Sequence, residues 1–300
     1  YMTGLKLLVD IVDKKIMSRS VSVHAASIGI SCAISFACAD LLAKHFGLSG
    51  AFILAGSSAL TAWLLVVSSV PKAPDKVRSV KLDWFDFRPV IANRSSLAYA
   101  IAYCAHTLEM NALRGWGVAF LTFVAAHADA SDGVPLLTPT TVLTLLGIVG
   151  TVASVLGNEA SIRVGRRNLI MAAMLCSAFC ATSLGFMGSN SYVLAVALML
   201  LYAFIVWLDS SSLTAGAAGT ADPQRRGATL AVHSTLGYAG GFVGPLIIGW
   251  TLDLSGGKSP PSWGLSFLLI AICSLVAMVI FLALRPRELA GEGSKANRSG

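Results

Sequence analysis

Charge is what this sequence has least of. Only 12% of its 300 residues are Asp, Glu, Lys or Arg, against 55% hydrophobic, whereas a soluble domain carries about 25% charged residues. With a mean hydropathy of +0.74, the chain is built for lipid. Metal and redox patterns are scarce as well. Cys32, Cys38, Cys104, Cys176, Cys180 and Cys273 lie in apolar stretches with no C-x-x-C and no clustered His. That pattern indicates neither a zinc site nor a disulfide framework, and free Cys packs as a small hydrophobe. No H-E-x-x-H helix, paired-Asp motif or Ser/His pair serves an intramembrane hydrolase, and the longest loop is too short for the soluble domain of a receptor. The chain therefore reads as no enzyme, with no cofactor and no metal. No basic-apolar-small cleavage pattern follows Tyr1, so no signal peptide is expected.

What is present is a series of apolar runs. Crossing ~30 Å of hydrocarbon takes about 20 apolar residues of helix, and eight stretches meet that length: 20–42, 50–70, 96–126, 139–160, 168–187, 191–214, 228–252 and 263–284. The expected fold is an all-α polytopic membrane protein. Short connectors rich in Gly, Pro, Ser and charge separate the runs, HFGLSG (45–50) and HADASDGVP (127–135) among them. The longest, PKAPDKVRSVKLDWFDFRP (71–89), reads as a polar hinge. The division expected is a two-helix segment 1–70, a cytoplasmic linker 71–95, a six-helix bundle 96–284 and a cytoplasmic tail 285–300.

Lys and Arg stay on the cytoplasmic side of a membrane. With a cytoplasmic N-terminal end, nineteen of the 22 Lys and Arg fall on that side, Lys44 and Lys258 on the other, and Arg114 inside the membrane. Span count and asymmetry support each other, and both ends of the chain are expected in the cytoplasm of a cell whose inner membrane holds the protein. The net charge of +7 is then an orientation signal, and no nucleic-acid partner is implied.

Two segments look alike. SRSVSVHAASIGISCAISF (18–36) and RRGATLAVHSTLGYAGGF (225–242) each carry Arg within their first two residues and run small and apolar, and each is followed by a span opening on Gly-Leu-Ser, at Gly47 and Gly264. Transporters are often built from repeated halves. If the last two spans end a six-span half, the first two end another whose first four spans are absent, giving a twelve-span parent.

NEASIRVGRRNL (158–169) resembles the loop signature of the major facilitator superfamily, with Arg163, Gly165, Arg166 and Arg167 matching. Ile162 stands at the motif's Asp position and Asn158 at its first Gly, and Glu159 is the nearby carboxylate. Gly240-x-x-x-Gly244-Pro245 is similar to the family's Gly-Pro antiporter motif but sits where an eleventh helix would be, so it reads as helix packing and a hinge. The stretches YMTGLKLLVD, LDSSSLTAG (208–216) and RRGATLAVHSTLGYAGGFVGP (225–245) look like bacterial members. The resemblance implies that the eight spans correspond to helices 5–12 of a twelve-helix fold, with 158–169 a cytoplasmic gating loop. It also implies that spans three and six are cavity-lining helices.

Span three holds the main anomaly, CAHTLEMNALRGW (104–116), with Glu109 and Arg114 in an otherwise apolar run. Glu109 lies fifteen residues beyond Arg94, about 22 Å along the helix, near the bilayer midplane. A charge there costs roughly 2.5–3.5 kcal/mol, so it faces protein or a watery cavity. Glu109 and Arg114 are about 140° apart around a regular helix, unless Asn111 and neighbouring glycines distort it. His106 and Glu109, three apart, share a face and are expected to pair as proton carriers. Arg114 is left for an anionic group or for a carboxylate on another helix. Span six adds Asp209 at similar depth, followed by Ser210, Ser211 and Ser212, which glue helices or bind a polar ligand. His233 is expected at a wetted interface and Trp207 in the core or interfacial belt.

These residues point to a secondary transporter moving a small solute by alternating access, with protonation of Glu109 or Asp209 as the coupling step. Its expected partners are an organic anion, the proton and the lipid bilayer, and it is expected to be a monomer. The alternatives are an inactive truncated fragment of such a transporter, or a membrane receptor or enzyme.

Overall fold

The computed structural model describes residues 2–13, 15–69, 86–127 and 137–289; most of the predicted 71–95 linker, most of the 127–135 connector and most of the tail lie outside them. Among the described residues there is no strand. The helices are α1 (Met2–Ile11), α2 (Met17–Ser69), α3 (Arg88–Ala92), α4 (Arg94–His127), α5 (Pro139–Val164), α6 (Arg166–Met187), α7 (Tyr192–Trp207), α8 (Ser210–Thr220), α9 (Arg226–Leu254) and α10 (Pro260–Leu284). Polar side chains set several starts: Thr138 accepts from the Thr141 N–H ahead of α5, and Ser259 accepts from the Ser262 N–H ahead of α10.

Among the described residues, six helical stretches are long and apolar enough to cross a membrane. One of them, α2, has 53 residues, far more than one crossing needs. It holds both the first and second predicted spans, and the connector predicted at 45–50 is helical apart from Gly47, whose φ of 68° breaks the regular geometry. Glycine lacks the Cβ that would clash at this φ, so one residue redirects the chain where a loop was expected. The sixth predicted span, 191–214, is divided: α7 ends at Trp207 and α8 begins at Ser210. A short helix, α1, was not expected and packs against α2 and α9.

The 34-residue α4 is absent from the six, because its polar and charged residues lower its hydropathy. It is nonetheless the centre of the bundle, touching α5, α7, α8, α9 and α10. Every residue from Ala105 to Met110 is buried, so this stretch of α4 is enclosed on all sides, whereas Gly115 and Thr122 further along are exposed. Polarity inside and apolarity outside is what lipid imposes, since a charge is tolerated only where protein surrounds it. Toward one end of α4, Phe120 packs edge-on against Trp263 and Phe267 at 5.1 and 5.5 Å. By contrast, all buried residues of α2 lie at or before Ala33, and residues 52–69 present apolar side chains such as Phe52, Trp63 and Val66 to the surroundings.

The α4 and α9 pair touches backbone to backbone. A Cβ at Gly240 would strike the carbonyl of Cys104, one at Gly244 that of Leu108, and one at Gly237 the ring of Tyr103. Small residues of this kind let membrane helices approach, and dispersion replaces the hydrophobic drive that lipid does not supply. Thr107 Oγ1 donates to the Gly237 carbonyl at 2.6 Å, and Trp116 Nε1 to that of Pro245 at 2.8 Å. α9 continues as helix through Pro245.

Candidate functional site

Residues 103, 107, 110, 111 and 114 recur on α4 at the spacing of one helical face. Tyr103, Thr107, Met110, Asn111 and Arg114 form one wall of a cavity of about 440 Å³. The facing wall comes from α9, where Ser234, Gly237, Tyr238 and Gly241 follow the same rule, and Ile28 of α2 contributes a third side. Asn111 Nδ2 donates to the Thr107 carbonyl at 2.8 Å, within its own helix.

Among the described residues, Arg114 is the one charged residue lining the cavity. Among the described residues no carboxylate lies within ion-pair distance of it, and its Nη2 is buried with no acceptor. Its guanidinium rests over the Trp207 ring, 5.0 Å from the centroid. A cation over an aromatic face gains ~0.5–2 kcal/mol, less than a matched anion would offer in a dry site.

The structure re-pairs the acidic residues. His106 Nδ1 lies 2.8 Å from Asp209 Oδ1, both side chains buried, though the two atoms are not aligned as a hydrogen bond. Glu109, 1% exposed, turns instead toward α6 and α10: Ser177 Oγ donates to its Oε1 at 3.2 Å, and the Ser274 hydroxyl also approaches it. The expected His106 and Glu109 pair is thus replaced, because a side chain three residues on diverges enough to meet different neighbouring helices. Glu109 does not line the cavity. Asp209 sits at the break between α7 and α8, next to Ser210, whose carbonyl accepts from Thr214. Of the serines that follow, Ser211 ties helices together, donating to the Ser154 carbonyl at 2.7 Å, while Ser212 Oγ is buried with no hydrogen-bond partner among the described residues.

His233 is the clearest surprise. Expected at a wetted interface, it is fully buried, stacked on Tyr103 at 4.1 Å with a 14° interplanar angle. Tyr103 also stacks on His106, at 5.8 Å. The eight-residue depth of His233 within α9 was visible in the sequence, but not the tyrosine that covers it.

The predicted loop signature forms a polar knot at one end of the bundle. Gly165 joins α5 to α6 with a φ of 92°. Arg166 is fully buried, donating from Nη1 to the Ser212 carbonyl at 2.8 Å and from Nη2 to Ser18 Oγ at 2.9 Å. Ser18 in turn donates to Asn158 Oδ1 at 2.8 Å. Glu159 accepts two hydrogen bonds from Arg19, at 2.7 and 3.0 Å, while Arg163 is exposed. Sequence reading missed Glu288, which accepts from the backbone N–H groups of Arg166 and Arg167 at 2.8 and 2.9 Å. It caps the start of α6 from more than a hundred residues away, where no local signal points to it.

Among the described residues no cluster of His, Cys, Asp and Glu is arranged to hold a metal ion. Compared with curated proteins, the chain matches none. The family model of the Major Facilitator Superfamily matches residues 1–215 and 110–300, together the whole length. This multi-pass, all-α membrane chain therefore belongs to the Major Facilitator Superfamily, a family of secondary transporters of small solutes.

Proposed function

We propose that this chain carries a small organic anion across a bacterial inner membrane by alternating access, as a monomer with both ends in the cytoplasm. Residues 96–284 act as one bundle and residues 1–70 belong to the other. The observation that carries the reading is Arg114: a cation on a cavity wall with a buried, unaccepted nitrogen and, among the described residues, no carboxylate in reach. In a low-dielectric site such a charge is stabilised by an incoming anion, and a cavity of about 440 Å³ lies in the range of small-molecule sites. Asn111 and Ser234 supply further polar contacts.

Proton coupling falls to Asp209 with His106, and to Glu109 behind them. These are titratable groups buried near the cavity without lining it, and a proton gained or lost there changes the field acting on the solute. The knot of Glu159, Arg163, Gly165, Arg166 and Arg167 serves as the cytoplasmic gate, through the contacts of Glu159 with Arg19 and of Arg166 with Ser18 on α2. Gly240, Gly244 and Pro245 supply the close packing of α9 on α4 about which a wall of the cavity can move.

The test is flux by the complete chain in liposomes, with labelled organic anions, cations and sugars, with and without an imposed proton gradient. Anion uptake that Arg114→Gln abolishes, and whose gradient dependence is lost in Asp209→Asn or Glu109→Gln, is the expected result. Uptake of sugars or cations alone would overturn the anion assignment. Unchanged gradient dependence in both carboxylate variants would remove them from coupling.

A further inference from the structure

Trp207 occupies a place that neither the transport reading nor its position in the core explains. It is 3% exposed and is the last residue of α7, two before Asp209. One ring face carries the Arg114 guanidinium at 5.0 Å. The His106 ring stands against it at 82°, centroids 6.4 Å apart. So one indole touches both the unpaired cation of the cavity and the histidine that lies 2.8 Å from Asp209.

The ring is also held from behind. A Cβ at Gly150 of α5 would come within 2.6 Å of Trp207 Cδ2, and one at Gly157 would strike the Leu208 carbonyl. These two glycines, seven residues apart on α5, receive the ring and the helix break together. The ring therefore has little room to move unless the break moves with it.

We propose that Trp207 is the positioning residue that ties the charge state of Arg114 to the His106 and Asp209 pair. This rests on the reading of Arg114 as the anion site. An anion arriving at Arg114 competes with the indole face for the guanidinium. Released, the ring alters its edge contact with His106 and, through Leu208, the position of Asp209. Solute binding is thereby felt at a proton-carrying pair that does not itself line the cavity.

No solute is needed for the test, because Arg114→Gln removes the charge that an anion would neutralise. The complete chain in lipid nanodiscs, with nitrogen-labelled histidine, is titrated by NMR, and the His106 signal is identified by its loss in His106→Gln. The groups facing His106 are Asp209 at the α7–α8 break, Tyr103 on α4 and His233 on α9, with Glu109 acting on Asp209; all are retained. Arg114→Gln is expected to displace the His106 signal in this titration. The displacement shrinks in a Trp207→Phe background, whose ring binds cations more weakly, and vanishes in Trp207→Leu. If Trp207→Leu does not fold, the Phe background decides. A displacement undiminished in either background, or none with Trp207 intact, overturns the proposal. Failure here leaves anion flux untouched, whereas failure of flux with the titration coupling intact removes the transport reading alone.

Discussion

Two arginines lie inside this bundle in opposite surroundings, Arg166 fully buried and Arg114 partly so, on a cavity wall. Arg166 at the knot donates to a carbonyl and a hydroxyl from two other helices, and its own backbone N–H is capped by Glu288. Arg114 at the cavity has an indole face and a buried nitrogen with no acceptor. Removing a charge from water is costly, and hydrogen bonds to the charged group offset that cost. A guanidinium so compensated belongs to the frame. One left uncompensated beside a cavity is kept for something that comes and goes.

That contrast can be broken by stability measurements on the complete chain in detergent. Arg166→Leu strands a buried carbonyl and a serine, and is expected to lower stability by roughly 3 kcal/mol. Arg114→Leu strands nothing, and is expected to leave thermal melting unchanged or to raise it. Equal losses from the two would erase the distinction between frame and site.

A smaller effect sharpens the knot. Glu288→Gln keeps an acceptor near the first turn of α6 but removes the negative charge that complements the helix N-terminus, a loss of about 0.5–1 kcal/mol. Melting no lower than that of the intact chain would show that the capping carboxylate adds nothing beyond its geometry. The least effect belongs to Arg19 and Glu159, which are partly exposed. Arg19→Gln is expected to lower melting slightly at low salt and not at all near 1 M, where the Debye length is about 3 Å. A salt-independent loss would move this pair from the screened surface into the frame.

How much of this was legible in the sequence differs between fold and site. The all-α membrane class follows from composition, since 55% hydrophobic residues with 12% charged cannot cover a water-facing surface. The anomaly at Glu109 and Arg114 was legible for the same reason: lipid makes any intramembrane charge conspicuous. Partners were not legible. Helical spacing says which residues of α4 share a face, but not which helix faces them, so His106 was matched with Glu109 and not with Asp209, a hundred residues on. Glu288 and His233 escaped likewise, one capping a helix remote in sequence and the other covered by a tyrosine on a different helix.

Sequence alone determined the solvent, the helical class, the glycine and arginine signature at residues 163–167, and the presence of buried charge on α4, because each follows from local composition and the cost of charge in hydrocarbon. Only tertiary structure decided which charges are compensated and which are left open. Compensation depends on groups brought within about 3 Å by helices that have no fixed separation along the chain, and it is that difference which separates Arg166 from Arg114.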